Sequence, residues 1–157
     1  MNTIQHIVPK HGYYIAGFAD GEGSFNISIK RRKDYKKKWK LTASFNVSQK
    51  ERHILAFIKK TLGCGTLRER KDGVVYYEVT NIALLHNVIL PFFKRFPILS
   101  QKKNKNFHIF AQIVKKMYKK EHLTPEGFIE IVTLRESLNS EIGRARKYTL
   151  QDVLHDN

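Results

Sequence analysis

The chain has 157 residues, a length that fits one compact domain with a sizeable core, and its hydrophobic content of 41% excludes a disordered chain. Its 29 lysines and arginines against 14 acidic residues give a formal net charge of +15, which is typical of proteins that bind a polyanion, nucleic acid first and an acidic membrane surface second. No apolar run reaches about 18 residues, so no transmembrane helix is expected, and the single cysteine, Cys64, excludes an internal disulfide and fits a reducing compartment.

The first predicted helix, over about residues 11–21, ends in acidic residues. Asp20 and Glu22 lie among glycines at its C-terminus, where the partial negative charge of the helix favours lysine or arginine instead. We therefore expect a positive group nearby to offset the two carboxylates. A helix cap with two solvated acids and no further role is the alternative.

Small residues mark one side of the same helix. Gly17 and Gly21 lie four residues apart with Ala16 beside them, which predicts the close approach of a second helix. Because no second such segment occurs here, that helix would come from another chain and bring two Glu22 carboxylates together, an arrangement that requires a cation or raised pKa values. Carboxylate and helix-end carbonyl oxygens suit Mg²⁺, whereas the spacing of the seven histidines predicts no zinc site.

Two hairpins are predicted next. Residues 24–33 and 39–48 alternate strictly between apolar odd and polar even positions, and residues 66–71 and 74–80 flank an Asp72-Gly73 turn. Alternation of period two places the even positions on one polar sheet face. With Tyr35 from the hairpin tip, the predicted nucleic-acid-binding residues are Asn26, Ser28, Lys30, Arg32, Tyr35, Lys40, Thr42, Ser44, Asn46, Arg68, Arg70, Tyr76 and Glu78.

The composition of this face predicts recognition of bases. Arginine suits the acceptors of guanine and asparagine suits adenine, and a two-stranded ribbon fits the major groove of DNA better than the deep groove of RNA. Residues 30–40 hold eight basic residues of eleven. A solvated, lysine-rich hairpin tip is the alternative explanation of that run.

The remaining segments are predicted to be helical, over residues 50–62, 82–93, 104–119, 124–139 and 149–155, with a loop before residue 104. Pro91 is expected to bend the helix over residues 82–93 or to end it early. The predicted fold is α+β: four antiparallel strands backed by helices in the order αββαββα, followed by extra C-terminal helices. We expect one domain over residues 1–157, with its core at about 10–120 and the C-terminal helices at about 124–155.

Residues 15–23, I-A-G-F-A-D-G-E-G, resemble the motif of the LAGLIDADG homing endonucleases, and Ala16, Gly17, Asp20 and Gly23 match it letter for letter. The order helix, hairpin, helix, hairpin, helix is also that family's half-fold. A single motif in a chain this short is similar to the homodimeric subgroup encoded in group I introns of organelles.

The resemblance implies a site-specific double-strand DNA endonuclease that acts as a homodimer on a long, roughly palindromic target and leaves 3′ overhangs. It implies Mg²⁺ as cofactor, with Mn²⁺ or Ca²⁺ able to replace it for binding. Gln49 would position water, and a lysine, Lys102 as the first choice and Lys103 as the second, would stabilise phosphate charge. The assigned residues are Glu22 and Gly21 for metal binding, Glu22, Gln49, Lys102 and Lys103 for catalysis, and Ala16, Gly17, Asp20 and Gly21 for the subunit contact.

The partners expected are double-stranded DNA and a second copy of the chain, with neither a membrane nor a small-molecule substrate. A chloroplast or mitochondrion is the expected compartment, and otherwise an intracellular location. Two other functions stay open from the sequence. A maturase would bind its own intron RNA and assist splicing, and a DNA-binding regulator would carry a decayed motif.

Overall fold

Four antiparallel strands form one sheet in the order β1-β2-β4-β3 in the computed structural model, which describes residues 3–34, 38–140 and 145–156. The α+β prediction is confirmed, and both hairpins form where the alternation and the Asp72-Gly73 turn predict them. The strands are β1 Gly23–Arg31, β2 Trp39–Gln49, β3 Thr66–Glu69 and β4 Val75–Val79.

The helices also follow the predicted order, with different limits. Pro91 does not end its helical segment, which continues to Arg95. A π-helical turn over Leu85–Ile89 precedes the proline. The loop predicted before residue 104 is wrong at its end, since Ser100 caps a helix that begins at Gln101. The helices are α1 Pro9–Glu22, α2 Arg52–Leu62, α3 Ile82–Leu84, α4 Leu90–Arg95, α5 Gln101–Tyr118, α6 Pro125–Glu136 and α7 Leu150–His155.

The odd-numbered strand side chains form the core against the helices. Phe25 of β1 and Phe45 of β2 stack with ring centroids 5.3 Å apart, and Phe110 of α5 lies 5.2 Å from Phe25. Phe93 contacts both strand rings edge-on. Such aromatic pairs add about 0.5–1.5 kcal/mol each beyond area burial, so the sheet is a firm support for its polar face. No helix in the described ranges is long and apolar enough to cross a membrane.

Strand β1 is an edge strand, and side chains from the C-terminal half of the chain cover its free edge. Unpaired edge carbonyls invite strand addition from other molecules. Here alternate carbonyls each accept a hydrogen bond from a helix or from the segment after one. The C-terminal helices are thereby attached to the sheet. The pairs are Lys103 with Gly23, Asn139 with Phe25 (2.8 Å) and Arg135 with Ile27 (2.7 Å).

Replacing Arg135 with methionine tests this attachment. The buried guanidinium also donates to the carbonyl of Tyr148 at 3.0 Å, so methionine leaves two carbonyls without their donor. We expect the free energy of unfolding, measured by urea denaturation, to fall by about 2–4 kcal/mol. Arg52→Met at the exposed start of α2 removes the same charge and is expected to cost less than about 0.5 kcal/mol. Equal losses in the two variants would contradict the attachment.

Candidate active site and nucleic-acid interface

The even-numbered side chains form rows across the sheet, as the alternation predicts. Asn46 lies opposite Ser24 on one side and opposite Glu78 on the other, and Glu78 lies opposite Thr66. Hydroxyl, carboxamide and carboxylate groups therefore follow one another across all four strands. Further rows pair Asn26 with Ser44, Ser28 with Thr42, Lys30 with Lys40, and Tyr76 with both Ser48 and Arg68.

Cations lie at both ends of this polar face. Arg70 follows the last residue of β3 and donates to the Tyr76 hydroxyl at 2.5 Å and to Asp72 at 2.7 Å. The hydrogen bond to Tyr76, and then the charge of Asp72, raise the pKa of the Arg70 guanidinium. At the other end Lys30 lies directly opposite Lys40, a like-charge pair that favours a bound anion.

Arg32 lies just past β1 and forms an exposed ion pair with Asp34 at 3.0 Å. Tyr35 lies outside the described residues. The remaining predicted residues of the face lie on or directly beside the four strands.

Asp20 connects the end of α1 to the start of α5. Its carboxylate accepts hydrogen bonds from the Ser100 backbone N–H at 3.1 Å and from the Ser100 hydroxyl. A carboxylate at a helix N-terminus is stabilised by the partial positive charge there. Asp20 therefore forms an intrachain contact with the start of a helix 80 residues further along. This contact does not require a second copy of the chain.

Lys103, in the first turn of α5, is the positive group that the two acids were expected to require. Its ammonium is partly buried and donates to the carbonyl of Gly23, directly after Glu22. Burial lowers the pKa of Lys103, while the charges of Asp20 and Glu22 oppose that change. The sequence did not predict this contact, because residues 101–103 were assigned to a loop. The helix that begins at Gln101 places the Lys103 side chain at the end of α1.

Glu22 and Gln49 lie at the same end of the sheet. Glu22 is exposed and directly precedes β1, whose first residue, Gly23, pairs with Val47. Gln49 is two residues further along β2, where its carboxamide oxygen accepts from the Lys50 backbone N–H at 2.8 Å. Lys102 is exposed in the first turn of α5. The fold thus brings all four predicted catalytic residues to one end of the sheet, where Lys102 and Lys103 line one cavity together with Gly23.

The oxygen donors at this end fit a hard cation, but one chain supplies few of them. Within the described residues, no cluster of three or more His, Cys, Asp and Glu side chains could hold a metal ion. Glu22 offers a carboxylate, and the carbonyl of Gly21 lies in the last turn of α1, beyond which no helical residue follows to donate to it. Such donors suit Mg²⁺, which keeps several waters. A second copy of the chain would double the carboxylates.

The side of α1 around Gly17 and Gly21 is open. Both glycines are exposed, and a Cβ atom at either position would meet nothing within 4 Å. Tyr14 lies one turn before Gly17 and is 51% exposed. Ala16 is different, because it is 3% exposed and belongs to the core of its own chain. Its side chain therefore does not line the open side.

Comparison with known proteins identifies relatives over most of the chain. Residues 15–114 match the sequence model described as LAGLIDADG endonuclease. DNA endonuclease I-CreI of Chlamydomonas reinhardtii is 30% identical over 146 residues, which cover 89% of this chain and 84% of that protein. "Probable intron-encoded endonuclease 2" of Neurospora crassa is 32% identical over 145 residues, or 90% of this chain and 32% of that protein.

Solved structures agree with the sequence matches. An archaeal intron-encoded homing endonuclease, I-Vdi141I, complexed with DNA, superposes with a TM-score of 0.84 and 32% identity over 93% of this chain and 92% of that one. The chain spans about a quarter to a third of the length of the Neurospora relative and of two further curated relatives.

The electrostatic coupling at Lys103 gives a prediction that needs no substrate. Because Glu22 raises the pKa of Lys103 against the effect of burial, Glu22→Gln is expected to lower that pKa further. The titration of the Lys103 side chain, followed by NMR of its labelled terminal carbon and nitrogen, measures the change. The control is Glu126→Gln, which removes one carboxylate at an exposed position of α6. An unchanged or higher pKa in Glu22→Gln would rule out the coupling.

Proposed function

The chain belongs to the LAGLIDADG endonuclease family, and we propose that it is a site-specific double-strand DNA endonuclease that acts as a homodimer. The observation that carries this proposal is the position of Glu22, Gln49 and Lys103 at the end of a polar sheet face. A surface suited to reading bases thus adjoins groups suited to hydrolysing a phosphodiester. Two of the similar proteins, I-CreI and I-Vdi141I, are named as endonucleases, and the structure of the second is a complex with DNA, which supports the same function.

The polar face would lie in the major groove of one half of the target. Its central rows offer donors and acceptors on short side chains, such as Asn26 and Asn46, which suit base edges. Lysines and arginines at the ends would contact phosphates, which determine affinity and its dependence on salt rather than sequence choice.

The open side of α1 would be the contact between two copies. Without side chains at Gly17 and Gly21, two helices can approach closely, and a two-fold axis along this contact implies a roughly palindromic target. The same axis brings the two Glu22 residues near each other. Cleavage of both strands near the axis would leave the 3′ overhangs that the family resemblance implies.

The chemistry would use Mg²⁺ held by the Glu22 carboxylates and the Gly21 carbonyls, with Mn²⁺ or Ca²⁺ able to replace it for binding. Bound Mg²⁺ would supply Lewis-acid activation of water and charge stabilisation at the leaving oxygen. Lys103, positively charged and partly desolvated, would add positive charge beside the scissile phosphate. Gln49 would orient water through its carboxamide.

The origin that we propose is an intron of a chloroplast or mitochondrial gene. The Neurospora relative and the archaeal structural neighbour are both named as intron-encoded, which supports the intron origin, and the compartment is proposed with it. Double-stranded DNA and a second copy of the chain are the proposed partners.

Cleavage by Glu22→Gln protein tests the active site. A plasmid library of near-palindromic sites is incubated with wild-type protein and with the variant, with and without Mg²⁺. Wild-type protein is expected to cut only with Mg²⁺, and the variant to lose at least about 100-fold in rate while still binding DNA, because the main metal ligand is gone. Glu126→Gln is the control and is expected to cut normally. Tight intron-RNA binding or DNA binding without cleavage by wild-type protein would favour the maturase or the regulator instead.

Gly17→Leu tests the subunit contact. A leucine at this open position costs the single chain little, but it would separate two closely packed helices, a steric cost of about 1–3 kcal/mol. We expect the dimer dissociation constant, measured by sedimentation equilibrium, to rise about 10- to 100-fold. Gln112→Leu places the same side chain at an exposed position of α5 and is expected to leave the dimer dissociation constant unchanged. An unchanged dimer in Gly17→Leu would place the contact elsewhere.

A further inference from the structure

One side of α5 carries basic and polar side chains that point away from the sheet. We call these residues the α5 strip; all of them are exposed, they are spaced three and four apart, and they are Lys105, His108, Gln112, Lys115 and, directly after the helix, Lys119. This spacing places them on one face of the helix over about 21 Å. Phe107 and Phe110, on the opposite side of α5, contact Phe25 of the sheet. A duplex on the polar sheet face therefore does not reach the α5 strip.

The charge of the α5 strip is positive and uncompensated by its own helix. None of the 18 residues of α5 is acidic. Lys116, outside the strip, is paired with Glu121 at 3.3 Å and with Glu130 of α6 at 2.9 Å. Lys115 and Lys119 have no ion pair within the described residues, and their spacing of four places two like charges side by side, which destabilises a helix. A bound anion would relieve this repulsion, so the strip favours an anionic partner.

An aromatic stack adjoins the C-terminal end of the α5 strip. The Tyr118 ring lies parallel to the His86 imidazole, with ring centroids 3.9 Å apart and an interplanar angle of 3°. His86 lies in the π-helical turn Leu85–Ile89, a kind of turn that is frequent at functional sites, and its Nδ1 donates to the Asn87 carboxamide oxygen at 2.8 Å. Tyr118 remains 42% exposed although His86 covers one face of its ring. A nucleobase can stack on such a ring.

We propose that this side of the molecule binds single-stranded RNA, with one unpaired base stacked on Tyr118 and the ribose-phosphate chain along the α5 strip. The lysines contact phosphates. His108 and Gln112, between the lysines, offer hydrogen bonds to the ribose 2′-hydroxyl, which DNA lacks. A base that stacks on a protein ring must leave its own helix, and unpaired bases are the parts of RNA that proteins read. This site is additional to the proposed endonuclease function and does not depend on it.

Binding of a fluorescein-labelled, unstructured 12-nucleotide RNA, followed by anisotropy without divalent metal, tests the stacking site. Tyr118→Leu keeps an apolar side chain but removes the ring, and we expect the dissociation constant to rise at least about tenfold, as the loss of one stacked base predicts. Tyr118→Phe keeps the ring and is expected to bind as wild type does. In wild-type protein, 2-aminopurine placed at successive positions of the RNA is expected to be quenched where it stacks, a measurement that needs no variant to fold.

Two further measurements test the α5 strip. Lys115→Gln is expected to raise the dissociation constant for the RNA about threefold to tenfold, and Lys94→Gln, at an exposed position of α4, is expected to leave it unchanged. A saturating, unlabelled DNA duplex is expected not to displace the RNA, because the duplex occupies the polar sheet face.

Each other outcome overturns a defined part of the proposal. Equal affinity in Tyr118→Leu and wild-type protein, or no quenching at any position, overturns the stacking site. Equal effects of Lys115→Gln and Lys94→Gln overturn the role of the α5 strip, and displacement by the DNA duplex overturns a separate surface. Equally tight binding of duplex RNA or of single-stranded DNA of the same sequence overturns the assignment to unpaired RNA. A DNA duplex that fails to bind at all contradicts the proposed function instead, and the Tyr118 variants still decide whether RNA stacks here.

Discussion

Two carboxylates at the negative end of α1 favour a nearby cation, and the fold is arranged so that Lys103 supplies it. The lysine lies 80 residues after the backbone carbonyl to which it donates, so the contact joins the start of the sheet to the start of α5. Asp20 strengthens the same junction from the other side by capping α5 through Ser100. The acids are therefore compensated only in the folded chain, where they lie beside the polar face.

The junction continues along β1, and this explains why the C-terminal helices belong to the same scaffold. Asn139 and Arg135 occupy the next two outward carbonyls after the one that Lys103 covers. Each of these hydrogen bonds restrains β1, which carries Asn26 and Ser28 on the polar face of the sheet. Side chains placed on a strand held along its edge keep their spacing, which the recognition of a fixed sequence requires.

Local patterns of the sequence predicted the sheet, and long-range contacts determined what they missed. Strict alternation placed Phe25 inside and Asn26 outside without any knowledge of the neighbouring helices. The predicted start of α5 was wrong because Asp20, which accepts the hydrogen bonds of the N-cap residue Ser100, is distant in the sequence, so residues 101–103 looked like a polar loop. Arg135 gave no signal either, since an arginine near a helix end usually serves as a solvated charge. Ala16 fitted the small-residue pattern, but its side chain lies on the side of α1 that faces the core.

On the proposed function, the polar face separates the groups that would give affinity from those that would give sequence choice. Its middle rows carry hydroxyl, carboxamide and carboxylate side chains, while Lys30 and Lys40 lie at one end and Arg68 and Arg70 at the other. On a nucleic acid, cations in the middle would attract every phosphate equally and would weaken discrimination between bases. At the ends they can hold the backbone while the middle rows test the bases. A chain with a net charge of +15 can therefore bind polyanions strongly and still be selective, because most of its charge lies away from the rows that would read the sequence.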